Sequence, residues 1–398
     1  MAQGPLAGVK VLDLTWHLAG PFCSKLLADY GAEVIKVERP GTGDPARSLS
    51  PFLGDEPGLE RSGLFFYLNT NKKSITLNLR SEFGRQTIRR LAQEADVLVE
   101  SFSPGTLRRL GLGPRTLAKL NPALLITSIS NFGQTGPYRD YQATDATLTA
   151  MGGLSYVTGD PQREPLRPGG SQANCHGGLN AFLATLAALY EKDVSGEGQR
   201  ADISMMECIA GILEYTTSMY SFGGTVRKRW YSRHHMAYPH GDIMPCKDGY
   251  VAVPVSRDWQ QLCAFLGHPE LADERMTALT YRMEHWQEFE GIMAQMLGGK
   301  TKHEIFEIGQ ALHMSFTMVM DAEEIVNDPQ NTDRGAFVTE KHPELGPVTY
   351  PGAPVRLPLT PWRTGRAPLL GEHNREVYCD RLGYKAADLV RLRQQGAI

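Results

Sequence analysis

Over its first part the chain alternates short, nearly continuous apolar runs with stretches whose apolar residues recur every three or four positions, the rhythm of buried strands joined by helices. Val9, Val11, Leu12 and Leu14 make the first run. A Gly-Pro pair at Gly20 and Pro21 then starts a helical pattern with Phe22, Leu26, Leu27 and Tyr30 on its apolar face, and Gly31 closes it. A second strand runs from Glu33 through Val34, Ile35 and Val37 to Glu38. Such a strand-helix-strand unit of about 30 residues has the size of a parallel crossover. Ligands of these units collect beyond the carboxyl ends of the strands, here the segments 15–21 and 38–47.

The rhythm repeats. Residues 41–60 are rich in Gly, Pro and Asp and read as a long loop over that mouth. Asn69, Asn71, Lys72 and Lys73 stand just before a predicted strand over 74–79, and a helix is predicted over 82–95. A buried strand over 96–100 leads into a helix opened by Pro104 and Gly105 that carries Arg108 and Arg109, and LLITSIS supplies a further strand before the turn FGQTGP. Successive crossovers imply a parallel, doubly wound α/β sheet. A short helix is predicted from about Asp145 to Gly153. A longer one follows, with Leu179, Phe182, Leu183, Leu186 and Tyr190 at helical spacing and Ser171 or Asn174 at its start, where unpaired backbone N–H groups suit an anion or a developing oxyanion. Composition divides the chain into a large domain over 1–220, a linker over 221–241, a smaller α+β domain over 242–327, and a linker with a return to the large domain over 328–398.

Composition narrows the function classes. A chain of 398 residues, 41% apolar and 21% charged, is ordinary for a globular protein, and a formal net charge of -3 lacks the basic excess of a nucleic-acid binder. The six cysteines contain no CxxC pair, which argues against a zinc ribbon or a disulfide framework. No stretch approaches the roughly 18 apolar residues of a membrane span. The expectation is a cytoplasmic protein without a bound metal.

Candidate chemistry gathers at the strand ends. A nicotinamide dinucleotide reading is suggested by Glu38, but the first loop is TWHLAGP and lacks the G-x-G-x-x-G that lets backbone approach a pyrophosphate. His17 in that loop is a candidate general base or substrate contact. Arg39, Arg47, Lys72, Lys73 and Arg109 are candidates to converge on a polyphosphate. His234 and His235 lack a third ligand at metal spacing, and no G-x-S-x-G or HExxH is present. Met205, Met206, Tyr215, Met219 and Tyr220 suit either an apolar acyl pocket or a helix core.

The ordered motifs LDLTWHLAGPFCSKLLADYGAEVIKVERPGTGDPAR, LNTNKKSITLNL, ADVLVESFSPGTLRRLGL, NPALLITSISNFGQTGP, TLAALYEKDVSGEGQRADISM and APLLGEH resemble the class III coenzyme A transferase family, also called CaiB/BaiF or formyl-CoA transferase-like. The resemblance spans nearly the whole chain. It implies a Rossmann-like large domain linked to a small one, and two such ring-like chains interlocked as a homodimer, or as a heterodimer of homologous subunits. It further implies acyl-CoA and a carboxylic acid as substrates. Arg39, Lys72, Lys73 and Arg109 would lie at the CoA phosphates and adenine, and His17, Leu18 and Ala19 would line the thioester end. Ser101, in VESF, replaces the family's common Asn.

Family chemistry rests on one Asp, which attacks the thioester to give a mixed anhydride and is then converted to an aspartyl-CoA thioester. By the resemblance, that position falls at Asn174. An amide lacks a carboxylate's charge and free lone pair, so it cannot serve as the covalent nucleophile. Three explanations remain. The chain is one subunit of a hetero-oligomer of the benzylsuccinate type, or Asp145 or Cys175 does the work, or the chain is a catalytically silent CoA-binding partner of an Asp-bearing homologue. A racemase reading would need a His at Thr144, directly before Asp145, and a nicotinamide oxidoreductase is a distant alternative.

Overall fold

The computed structural model describes residues 4–159, 163–229, 242–253, 259–267 and 273–398. Six strands, β1 (Lys10–Leu14), β2 (Glu33–Glu38), β3 (Lys73–Thr76), β4 (Val97–Glu100), β5 (Leu125–Ser130) and β6 (Arg200–Ser204), form one sheet in the order β3-β2-β1-β4-β5-β6. Every pairing is parallel. The helices between them are α1 (Ala19–Asp29), α2 (Gly63–Leu68), α3 (Glu82–Glu94), α4 (Thr106–Arg109), α5 (Pro114–Leu120), α6 (Asp145–Met151) and α7 (Gln172–Ser195), and α8 (Met205–Gly211) follows β6.

Side chains alternate across the sheet, as the two-residue period of a strand requires. Leu12, Leu14, Ile35, Val37, Ile75 and Leu98 face one way, against α3, α5 and the returning carboxyl-terminal segment. Val11, Val34, Val97, Val99 and Leu125 face the other, against α1 and α7. Two adjacent glycines let α7 lie close to its neighbours. A Cβ on Gly178 would stand 2.5 Å from the Ala19 carbonyl oxygen, and one on Gly177 would stand 2.6 Å from Met205. That approach sets the start of α7 against the first turns of α1 and α8.

The chain divides into two compact units. The larger comprises 4–154, 168–214 and 332–398, and its last part docks on the edge strand: the Tyr378 hydroxyl donates to the Thr76 carbonyl at 2.8 Å, and Asn374 bonds the Thr76 backbone and hydroxyl. The smaller comprises 155–167 and 215–331, with an antiparallel sheet of Asp242–Cys246, Gly249–Val253 and Thr317–Met318 over a core that includes Met244, Val251, Leu262, Leu297 and Phe316. Segment 155–167 therefore leaves the large domain in which sequence composition put it. Within the expected linker over 221–241, residues up to Gly223 end a helix that begins at Glu214, while His234 and His235 lie outside the described residues.

Two other expectations change. The loop over 41–60 is exposed over most of 48–60 but begins with a short helical turn at Pro45–Ser48 that buries Asp44, Ala46 and Arg47, because Asp44 and Arg47 find partners inside. On α7, Phe182 is buried, yet Leu179, Leu183 and Tyr190 are exposed, so the apolar periodicity there covers more of the helix than the core contact uses.

Candidate active site

Strand order turns back between β1 and β4, so the loops leaving their carboxyl ends diverge and open a crevice. A cavity of about 520 Å³ occupies it. Residues 16–19 after β1, 101–104 after β4 and 129–131 at the end of β5 form one side. The first turns of α6, α7 and α8, at Asp145, Asn174 and Met205, close the other. Three segments singled out from sequence, at His17, Asp145 and Asn174, thus meet at one place.

Asp145 and Asn174 are bound to each other. Asp145 Oδ1 accepts from the Asn174 backbone N–H at 3.1 Å and from its side-chain Nδ2 at 2.9 Å. Both side chains are half-buried at the cavity wall. Thr144, the position where a racemase would carry a base, caps α6 with its hydroxyl. Around Cys175, next in the turn, burial and then the charge of Asp145 push the thiol up, away from the thiolate that a nucleophile would use.

The loop after β1 is held by hydrogen bonds at nearly every turn. Asp13 Oδ1 accepts from the Thr15 backbone and hydroxyl at 2.8 and 2.5 Å, and Lys36 donates to the Thr15 carbonyl at 2.9 Å. The Trp16 N–H donates to Ser101 Oγ at 3.0 Å, and the His17 N–H to Asp44 Oδ1 at 3.0 Å. Ser101 therefore ties the loop of β4 to that of β1. His17 has a φ of 66°, the left-handed region, which costs a non-glycine residue about 1 kcal/mol or more unless its surroundings enforce it. Its side chain is exposed at the cavity, beside Leu18 and Ala19.

Beneath this loop lies a buried ionic layer. Strand register sets Asp13 beside Lys36 and Lys36 beside Ser74, on the face that looks at α1. Lys36 pairs with Asp44 at 2.7 Å, Lys72 with Asp13 at 3.1 Å, and Arg47 with Glu38 at 2.7 Å, all with fully buried side chains. Burial alone would raise Asp13, but Lys36 and Lys72 outweigh it and bring the carboxyl down to about 2. Burial lowers Lys72 to about 8 despite the same carboxylate.

These contacts correct part of the expected phosphate grip. Lys72 donates to Asp13, the Pro21 carbonyl, Ser24 and Asn69, so its ammonium faces inward. Lys73 opens β3 at the amino end of the sheet, away from the mouth, where it pairs with Glu33 and Glu376. Arg47 is enclosed by Glu38, Glu60 and the Phe65 ring. Arg39 and Arg109 are different. Both are exposed after the carboxyl ends of β2 and β4, Arg39 stacked on Trp16 at 3.9 Å and Arg109 bonded to Thr106. Arg80, exposed beyond β3, is a third guanidinium on that side and was passed over in sequence, although it follows the predicted strand directly. Met205 lines the cavity while Tyr220 is exposed. Among the described residues no group of three His, Cys, Asp or Glu is placed to hold a metal, and no helix is long and apolar enough to cross a membrane.

Comparison with known proteins agrees with the geometry. The model of CoA-transferase family III matches residues 6–374. Succinyl-CoA--D-citramalate CoA-transferase of Chloroflexus aurantiacus is 37% identical over 99% of this chain and 98% of its own length. Succinyl-CoA:(R)-benzylsuccinate CoA-transferase subunit BbsE of Thauera aromatica is 32% identical over 98% and 97%. A CAIB/BAIF family protein from Brucella suis superposes with a TM-score of 0.86 at 30% identity, covering 96% of this chain and all of that one. With matches of this length in sequence and structure, the chain belongs to CoA-transferase family III.

Proposed function

We propose that this chain binds acyl-CoA at the crevice between β1 and β4 and acts as one subunit in moving CoA from a thioester to a carboxylic acid. In this reading the exposed guanidiniums of Arg39, Arg80 and Arg109 take the CoA phosphates, as bidentate donors along the carboxyl edge of the sheet. Residues 17–19 face the thioester. The two relatives above carry succinyl-CoA in their names, so succinyl-CoA is the first donor to test.

The observation that carries the reading is the pairing of Asn174 with Asp145 on the cavity wall. Asn174 stands, by family resemblance, where the nucleophilic Asp is expected, and an amide cannot form the anhydride. Asp145 holds the side chain at 174 in place through its backbone N–H and one N–H of its amide. A carboxylate supplied by an Asp-bearing homologous subunit then completes the reaction, as the word "subunit" in the name of BbsE suggests for that protein. The same asparagine supports a second reading, a silent partner that binds CoA and stabilises or regulates the active homologue.

The test uses the chain alone and together with an Asp-bearing homologue. CoA binding is measured by calorimetry, acyl exchange with labelled CoA, and covalent intermediates by hydroxylamine trapping. The transferase reading expects CoA binding by the chain alone and faster exchange in the mixture, with part of that gain lost when Arg109 of this chain is replaced. A rate in the mixture that is indifferent to Arg109→Ala supports the silent partner. No CoA binding in either state overturns both.

A further inference from the structure

We infer that Lys36 and Asp44 are positioning residues for the transfer reaction, a buried ion pair that clamps Thr15 and His17 and so holds the left-handed turn of His17 against the cavity. This rests on the reading above that segment 17–19 faces the thioester.

The clamp spans the two segments leaving neighbouring strands. Lys36 lies in β2, donates to the Thr15 carbonyl at 2.9 Å and pairs with Asp44 at 2.7 Å. Asp44 lies in the segment after β2, and its Oδ1 accepts from both His17 and Ala46 N–H groups, at 3.0 and 2.8 Å. One charged pair therefore satisfies a carbonyl and an N–H on either side of Trp16. Without it the buried Thr15 carbonyl would lose its donor and the His17 N–H its acceptor, and a left-handed non-glycine turn would lose the contacts that enforce it. Neither side chain has any exposure to solvent, so the pair touches no ligand and acts only through the loop.

The surrounding charges make the idea testable. Asp13 is neutralised by Lys72, and Glu38 by Arg47, so Lys36 and Asp44 can be removed together without leaving a net buried charge. Lys36→Met alone strands the Asp44 carboxylate, and Asp44→Asn alone strands the ammonium, so each single variant is expected to lose stability. In the double variant Lys36→Met with Asp44→Leu no buried charge is stranded, and the His17 N–H loses its acceptor. Melting temperature should recover toward that of the unmodified protein, whereas the bond to the Thr15 carbonyl is gone.

The experiment measures succinyl-CoA transfer in the assembly with the Asp-bearing homologue, and a crystal structure of the double variant. The clamp predicts a kcat lower by about tenfold to a hundredfold, the scale of an ångström misplacement, with KM for acyl-CoA changed less than about threefold. It also predicts that His17 leaves the left-handed region. A merely structural role predicts that rate returns together with stability. The inference is overturned if the double variant keeps the full rate and His17 keeps its positive φ. If no assembly transfers CoA, the functional reading fails, and the clamp is then decided by the conformation of His17 alone.

Discussion

The floor and the rim of the cavity use the same kinds of residue for opposite ends. On the floor Asp13, Lys36, Glu38, Asp44, Arg47 and Lys72 are buried, and every charge meets an opposite one. On the rim Arg39, Arg80 and Arg109 face solvent, Arg39 supported by a stacking contact and Arg109 by a hydroxyl. What separates them is whether a buried counter-ion is within reach. A charged side chain inside a strand, or just before one, points between the sheet and α1 or sits at the amino end. Of those that follow a strand, Asp44 and Arg47 fold back onto Lys36 and Glu38, whereas Arg39, Arg80 and Arg109 stay exposed. The floor thus builds the site, and in the proposed reading the rim binds.

That division is broken most directly at the position where the resemblance puts the nucleophile. With Asn174→Asp, a carboxylate would stand about where Nδ2 now lies, 2.9 Å from Asp145 Oδ1. In the proposed reading, acyl exchange by the isolated variant should rise on the order of a thousandfold above the parent. Two carboxylates so close titrate as a coupled pair with one pKa raised. Because the attacking group must be ionised, exchange should fade on acidification through a pKa above the ordinary carboxylate range. Labelled-CoA exchange across pH measures both, and a variant no faster than its parent would place the reaction elsewhere.

The floor is tested at Arg47. Its removal leaves Glu38 buried without its bidentate partner, and breaking such a pair costs about 3–5 kcal/mol. Arg47→Ala should therefore lower unfolding free energy by about that amount in urea titrations. A loss below about 1 kcal/mol would mean that the ionic layer is not a structural floor.

Much of this was legible in the sequence. β1, α1 and β2 fall within a residue or two of the positions their apolar pattern predicts, because buried parallel strands leave near-continuous apolar runs. The resemblance put His17 toward the thioester and the nucleophile position at Asn174, whereas the contact of Asp145 with Asn174 joins two helix starts that no local pattern links. The fate of the basic residues was harder to read. Lys72 and Lys73 are adjacent, yet one is enclosed by four partners and the other pairs at the amino end of the sheet, and no local pattern distinguishes them. A signal was nonetheless present. Asp13 and Lys36 interrupt apolar strands at positions facing α1, where a charge persists only if it is paired, and that alone predicts buried counter-ions nearby. Segment 155–167 escaped because association with the smaller unit depends on contacts far along the chain.

Acid stability sharpens the view of the floor. The Asp13 carboxyl is held at about 2 in the fold against an ordinary 3.8, burial being outweighed by Lys36 and Lys72. Its contribution is present above pH 3.8 and is lost as pH falls toward 2, which amounts to about 2 kcal/mol. Lys72 is depressed as well, by burial, from 10.5 to about 8, so the unfolded chain holds that proton more tightly and stability should rise between those values. Urea unfolding at a series of pH values should show both rising limbs, and Asp13→Asn should flatten the acid one.

The smallest effects belong to the rim. Arg39 over Trp16 is worth about 0.5–1 kcal/mol as an exposed cation–π contact, so Arg39→Ala should barely move the melting temperature. If Arg39 also holds a phosphate, the same substitution should weaken CoA binding about tenfold, and added salt should shrink the difference. Arg109→Ala should behave alike, its contact with the Thr106 hydroxyl being local. A variant that loses affinity without losing stability is what separates a binding rim from a structural floor. Equal losses in both at Arg39 would move that residue to the floor and leave the phosphates to Arg80 and Arg109.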